Sequence, residues 1–156
     1  MSQTKSHERT ILGSIGAAIG KGLIAGFAGT VAISISQAIE MKIRSRKPGD
    51  TPAKAAEKIF DIDPDLGNEK TFSQQVHYTY GTLWGSARGI LSLVGITGFA
   101  ATAVHFAALW GTAVVTETEL DLAPPIDEWK TEDILIDIFH HAVYVTAVAL
   151  VYKAID

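Results

Sequence analysis

One glutamate and two HxxY motifs carry most of the chemistry open to this chain. Glu40 closes a long apolar run, while His77 with Tyr80 and His141 with Tyr144 repeat one spacing. A carboxylate and two imidazoles at one depth would form a proton-handling cluster, because ionisable groups in an apolar medium are costly unless paired. Glu40 also has a plainer partner in Arg44, one helical turn later, and that pairing at a wet boundary is the favoured reading. Asp137 and His140 form a DxxH element. Carboxylate-bridged metal bundles need such elements from paired helices plus further glutamates, and this chain has one. Haem needs axial ligands that face each other, whereas His105 falls mid-span and His77 near an end. No metal, haem or other cofactor is expected. No Ser-His-Asp set can be assembled from the spacing, so no catalytic residue is assigned and the chain is not expected to be an enzyme.

Two lookalikes fail on chemistry. "GSIGAAIGKG" (13–22) has Ile15 where a phosphate loop needs Gly, and Gly22 where it needs Ser or Thr. "DIDPDLGNEKTF" (61–72) starts with Asp61, Asp63 and Asp65 like a calcium loop. It then places Leu66 at the sharp turn and Phe72 where the bidentate Glu belongs.

The elements that must position these residues follow from charge. The chain has 156 residues, enough for one domain, and no cysteine, which excludes disulfides and thiolate sites. Its net charge of −4 comes from acids crowded into 50–69 and 117–137, whereas 71–116 holds one formal charge, Arg88. Nucleic acid is excluded as a partner by the lack of a basic face. The mean hydropathy of +0.22 suits a membrane bundle with sizeable polar loops. The stretches 22–39, 71–87, 89–116 and 138–152 contain no Asp, Glu, Lys or Arg. A helix crossing ~30 Å of hydrocarbon needs roughly 20 mostly apolar residues. The last-but-one stretch is too long for one helix and breaks at "VGITG", 94–98. The pattern therefore predicts an all-α protein with four transmembrane spans, near 20–43, 75–94, 97–116 and 134–154. A soluble helical bundle is the alternative; the missing amphipathic faces between 71 and 116 argue against it. Residues 1–10 read as a polar tail rather than a signal peptide, since Lys21 interrupts the apolar run that follows.

An internal repeat is visible. "IAGFAGTVA" (24–32) matches "ITGFAATAV" (96–104) at five of nine positions, and "HYTYGTLWG" (77–85) shares its HxxY and a following Thr with "HAVYVTAVA" (141–149). The single domain thus divides into two similar two-helix units, about 20–94 and 95–154, related by an axis along the membrane normal. Gly22, Gly26 and Gly29 on the first span, and Gly81, Gly85 and Gly89 on the second, have the small-residue spacing that lets helix backbones approach. Thr30, Ser34, Ser36 and Gln37 can bond across helices.

These motifs resemble small bacterial integral membrane proteins of the YagU kind. The features that carry the resemblance are Gly26, Thr30 and Glu40 on the first span and the loop prolines Pro48 and Pro52. His77, Tyr80, Gly81 and Gly85 follow, then Pro124, Pro125, His141 and Tyr144. Val145 stands where the first unit has Gly81, a departure from the pattern. The resemblance implies a multi-pass protein of the bacterial inner membrane and no established chemistry.

Loop features complete the expectations. "TPAKAAEKIF" (51–60) predicts a short interfacial helix capped at Thr51, with Ala56, Ile59 and Phe60 on its apolar side. Trp129 beside the Pro-Pro turn reads as an interfacial anchor. Basic residues 42–47 favour cytoplasmic loops, but Lys5, Arg9, Lys21, Arg88 and Lys153 fall opposite, so orientation stays open. His140 and His141 lie about 100° apart on a helix. His141, the one the repeat preserves, is expected to face the bundle near Tyr80 or His77, with a partner on the first or second span. His140 is expected at the loop-side surface near Glu132 or Asp133. The favoured function is a non-catalytic structural or accessory subunit, held in the lipid bilayer, that binds other membrane proteins or itself. The alternative is a conductor of protons or a small solute past Glu40, His77 and His141.

Overall fold

The first apolar run folds as one helix, α1 (Ser2–Ile43), of 42 residues and so about 63 Å long. The computed structural model describes residues 2–62 and 68–156, with side chains from Thr10 onward. After α1 come α2 (Thr51–Phe60), α3 (Glu69–Leu93), α4 (Gly98–Glu119) and α5 (Thr131–Ile155), with a single 3-10 turn at Ile126–Glu128. The described residues contain five α-helices and no strand. The polar tail expected at 1–10 is helical from Ser2 and continuous with the apolar run. Asp63 and Asp65, compared above with calcium ligands, lie outside the described residues.

Local chemistry sets the breaks. Gly95 at φ 81° and Gly98 at φ 59° turn the chain between α3 and α4 in a backbone region that residues with a Cβ avoid. Pro52 lies in the first turn of α2, where its missing N–H costs nothing. The cap is Asp50, one residue earlier than expected, and Lys54 pairs with it at 2.9 Å. That hydrogen bond holds the Asp50 carboxyl below its ordinary value. Ala53 and Ala56 are the buried face of α2, which packs on α3. Ile59 and Phe60, of the same expected apolar side, are exposed, and the Lys58 ammonium reaches the Leu120 carbonyl beyond the end of α4.

α1 is the axis of the bundle. α3 and α5 both run antiparallel to it, and α4 packs more loosely against α3 and α5. Close approach to α3 rests on glycine. A methyl at Gly22 would stand 2.6 Å from the Gly85 carbonyl oxygen, and one at Gly26 would stand 2.5 Å from that of Thr82. A methyl at Gly85 would meet the Gly22 carbonyl, one at Gly89 the Ala18 carbonyl, and one at Gly81 the Thr30 hydroxyl. Gly29 opens toward the other neighbour, where Val148 and Tyr144 of α5 fill the space. Small residues thus line the α1–α3 contact and Ile33, Leu109, Tyr144, Val148 and Tyr152 fill the rest of the interior, while Phe27, Ile35, Leu83, Phe99 and Leu150 point outward.

Three helical stretches are long and apolar enough to cross a membrane: Thr10–Ile43, Gly98–Glu119 and Thr131–Ile155. The charge-free runs had led us to expect four. α3 has the length, 25 residues, but its first two turns carry Glu69, Lys70, Gln74 and Gln75, and Arg88 interrupts its second half.

Candidate functional site

Helix α5 presents polar groups on two faces near the Glu40 end of the bundle. Asp137 and His141 are one turn apart and therefore share a face. The His141 Nδ1 lies 2.9 Å from the Asp137 carbonyl oxygen and 3.5 Å from its Oδ1. Across from them on α4, the Trp110 indole donates to Asp137 Oδ2 at 2.7 Å. Glu117 of α4 and His77 of α3 lie within electrostatic range of His141. His77 Nε2 is buried with no hydrogen-bond partner among the described residues, and the ring meets Tyr78 edge-on.

His140 looks the other way, toward α1. It is 3% exposed, and its Nδ1 lies 2.7 Å from the Ser36 hydroxyl. This overturns the expected assignment of the two histidines. The apolar seam between α5 and α1 takes His140, because Ser36 supplies a partner there. His141 is only partly buried and bonds within its own helix, so the partner expected on the first or second span is not its hydrogen-bond partner. Its electrostatic neighbour His77 does belong to the expected region.

Glu40 joins a third group. Arg46 reaches it at 2.7 Å and Arg44 at 3.4 Å, and Arg44 goes on to Glu132 at 3.3 Å and Asp133 at 3.4 Å. Among the described residues, no hydrogen bond or ion pair joins Glu40 to His77 or His141. The expected cluster is therefore divided: Glu40 pairs with Arg44 and Arg46, Arg44 bridges to the start of α5, and His77 and His141 are electrostatic neighbours between α3 and α5. Tyr80 is 43% exposed and packs edge-on to Trp84. Tyr144 is fully buried and donates its hydroxyl to the Gly81 carbonyl on α3.

Between α3, α4 and α5 lies His105, 1% exposed, stacked on Trp84 and edge-on to Tyr144. Its Nε2 also lacks a partner among the described residues. Sequence reasoning missed Asp137–Trp110 as a unit. Trp110 is 27 residues before Asp137, and no periodicity links them.

An Asp–His pair steadied by an indole N–H can accept and pass a proton. No group of three or more His, Asp or Glu that could hold a metal ion occurs among the described residues. In comparisons with family models, curated proteins and solved structures, nothing matches this chain.

Proposed function

We propose that this is a four-span integral membrane protein that acts as a non-catalytic accessory subunit. α3 is the fourth span, shielded along one side by α1. The observation that carries the accessory role is the overhang of α1. Residues 10–17 are all exposed, with Ile11 and Leu12 outward. Gly13, Gly16 and Gly20 have nothing within 4 Å of the position a Cβ would take, although the same helix receives α3 at Gly22 and Gly26. At 100° per residue these three glycines share the side of α1 opposite Gly22 and Gly26, so α1 carries one glycine stripe used inside the bundle and a second open to another helix, of a partner or a second copy. Crosslinking in native membranes tests this: a benzoylphenylalanine at Leu12 should capture a second membrane protein, and one at Phe99 should not. Equal capture at both positions would remove the accessory reading.

The two-unit repeat belongs to the same proposal. Its support is that α3 and α5 lie parallel. His77 and His141 are 64 residues apart, as are Tyr80 and Tyr144, and the Arg88 guanidinium lies over the ring of Tyr152 at the same offset. The paired HxxY spans and proline-bearing loops also support kinship with the YagU kind in a bacterial inner membrane.

A second reading, proton or small-solute conduction, is favoured by one observation: the unpartnered, buried His77 imidazole lies within electrostatic range of the Asp137–His141 pair. Glu40 takes no part in it. Proton flux into liposomes, measured for the wild type and Asp137→Asn, decides between them; flux at the background of empty liposomes removes this reading.

A further inference from the structure

Among the described residues, Arg88 is a buried charge with no acidic partner. It is 6% exposed, on the α3 face turned to α5, and its Nε and Nη1 are buried without a hydrogen-bond partner among the described residues. What surrounds it is not acidic. The Tyr152 ring lies beneath the guanidinium, 5.6 Å from centroid to Cζ, and His105 of α4 is within electrostatic range. The acid at that end of α5, Asp156, is engaged with Lys21 of α1 at 2.9 Å. A buried charge without a counter-ion is destabilising, so a fold that keeps one at this depth has a use for an anion.

The position says which anion. Gly85 packs on Gly22 and Gly89 on Ala18, so Arg88 stands level with Ile19, about half a turn beyond Lys21, where the charge-free run 22–39 begins. Tyr152 is the last residue of the charge-free run 138–152, and Lys153 follows it. The apolar lengths of α1 and α5 therefore both end at the level of Arg88, which is where lipid phosphates lie when such helices cross a bilayer. A planar guanidinium fork matches two oxygens of a phosphate. The aromatic ring below it keeps the cation in place when the anion leaves. α3 and α5 meet sparsely, so the fork lies in a seam between helices rather than under a close-packed glycine contact.

We propose that Arg88, with the Tyr152 ring beneath it, is a binding site for a phosphate oxyanion at the Lys21 end of the bundle. The oxyanion is either a lipid headgroup or free phosphate. This inference uses the membrane reading for its depth argument, but its test separates the two, because recovery of the protein from the soluble fraction would remove the membrane reading alone. Delipidated protein in neutral detergent is titrated with dioleoylphosphatidylglycerol, with dioleoylglycerol (the same tails without phosphate) and with inorganic phosphate. Binding is read by native mass spectrometry. The wild type should prefer the phosphatidyl lipid over the diacylglycerol by about tenfold, and Arg88→Gln should bring the two to parity. If the source is free phosphate, inorganic phosphate binds the wild type, the lipid preference is absent, and Arg88→Gln loses the phosphate. A folded wild type that shows neither the lipid preference nor phosphate binding overturns the proposal, whatever the variants do. Full retention of either in Arg88→Gln, with unchanged helix content, also overturns it. Should Arg88→Gln fail to fold, Arg88→Lys keeps the charge and loses the fork, and an unreduced preference there counts against the site.

Discussion

Ser36 on α1 and His140 on α5 meet at 2.7 Å, hydroxyl oxygen to Nδ1, inside the seam between the first helix and the last. His140→Ala should therefore destabilise the protein in detergent by about 1–3 kcal/mol, as for any buried polar pair that loses a member. His141→Ala should cost less, since its bonds are within one helix. Equal thermal shifts for the two variants would contradict this assignment. The double-mutant cycle with Ser36→Ala should give a coupling of about 0.5–2 kcal/mol.

Glycine substitutions should divide by location. At Gly85 a new methyl meets backbone of Gly22 and Gly26, which cannot swing aside. Gly85→Ala should cost about 1–3 kcal/mol. Gly16→Ala meets nothing within 4 Å and should stay within about 0.5 kcal/mol of the wild type. Melting temperatures in one detergent provide the comparison.

Trp110→Phe keeps the ring and removes the N–H that reaches Asp137. The expected loss is about 0.5–2 kcal/mol, together with greater solvent exchange at the start of α5. Hydrogen exchange that is unaltered between residues 131 and 141 would show that the indole does not hold Asp137.

Glu40→Gln should be mild. Its partners Arg44 and Arg46 are at the wet end of the bundle, so the change should stay within about 1 kcal/mol and shrink as salt is raised. A loss of several kcal/mol that salt does not alter would place Glu40 in an apolar interior instead.

Acid should fray the start of α2. The Lys54 hydrogen bond lowers the folded-state pKa of Asp50, so its contribution is complete above the ordinary aspartate value and is lost as pH falls through the lowered one. Amide exchange at the first turn of α2 should accelerate over that window in the wild type and show no such step in Asp50→Asn. Both side chains are exposed, so global stability should hardly move.

The all-helical class and the breaks between helices were legible in the chain itself. Charge-free runs, Pro52 and the glycines at 95 and 98 are local signals, and local sterics and solvation act on them without help from distant residues. The glycine faces of α1 and α3 were legible for the same reason, because a four-residue spacing fixes which residues share a side. How α5 is rotated was not legible. His140 and His141 have the same chemistry and adjacent positions, and only Ser36, more than a hundred residues earlier, determines which of them is buried. Glu40, His77 and His141 likewise occupy similar ends of their helices, and a shared depth was all the sequence could establish. Angle about the bundle axis separates them, and that angle is set by the Gly22, Gly26 and Gly85 contact, which turns α1 toward α3 and leaves Glu40 to Arg44 and Arg46. Depth follows from counting residues along one helix, whereas facing follows from how helices pack, and packing is a property of the whole fold.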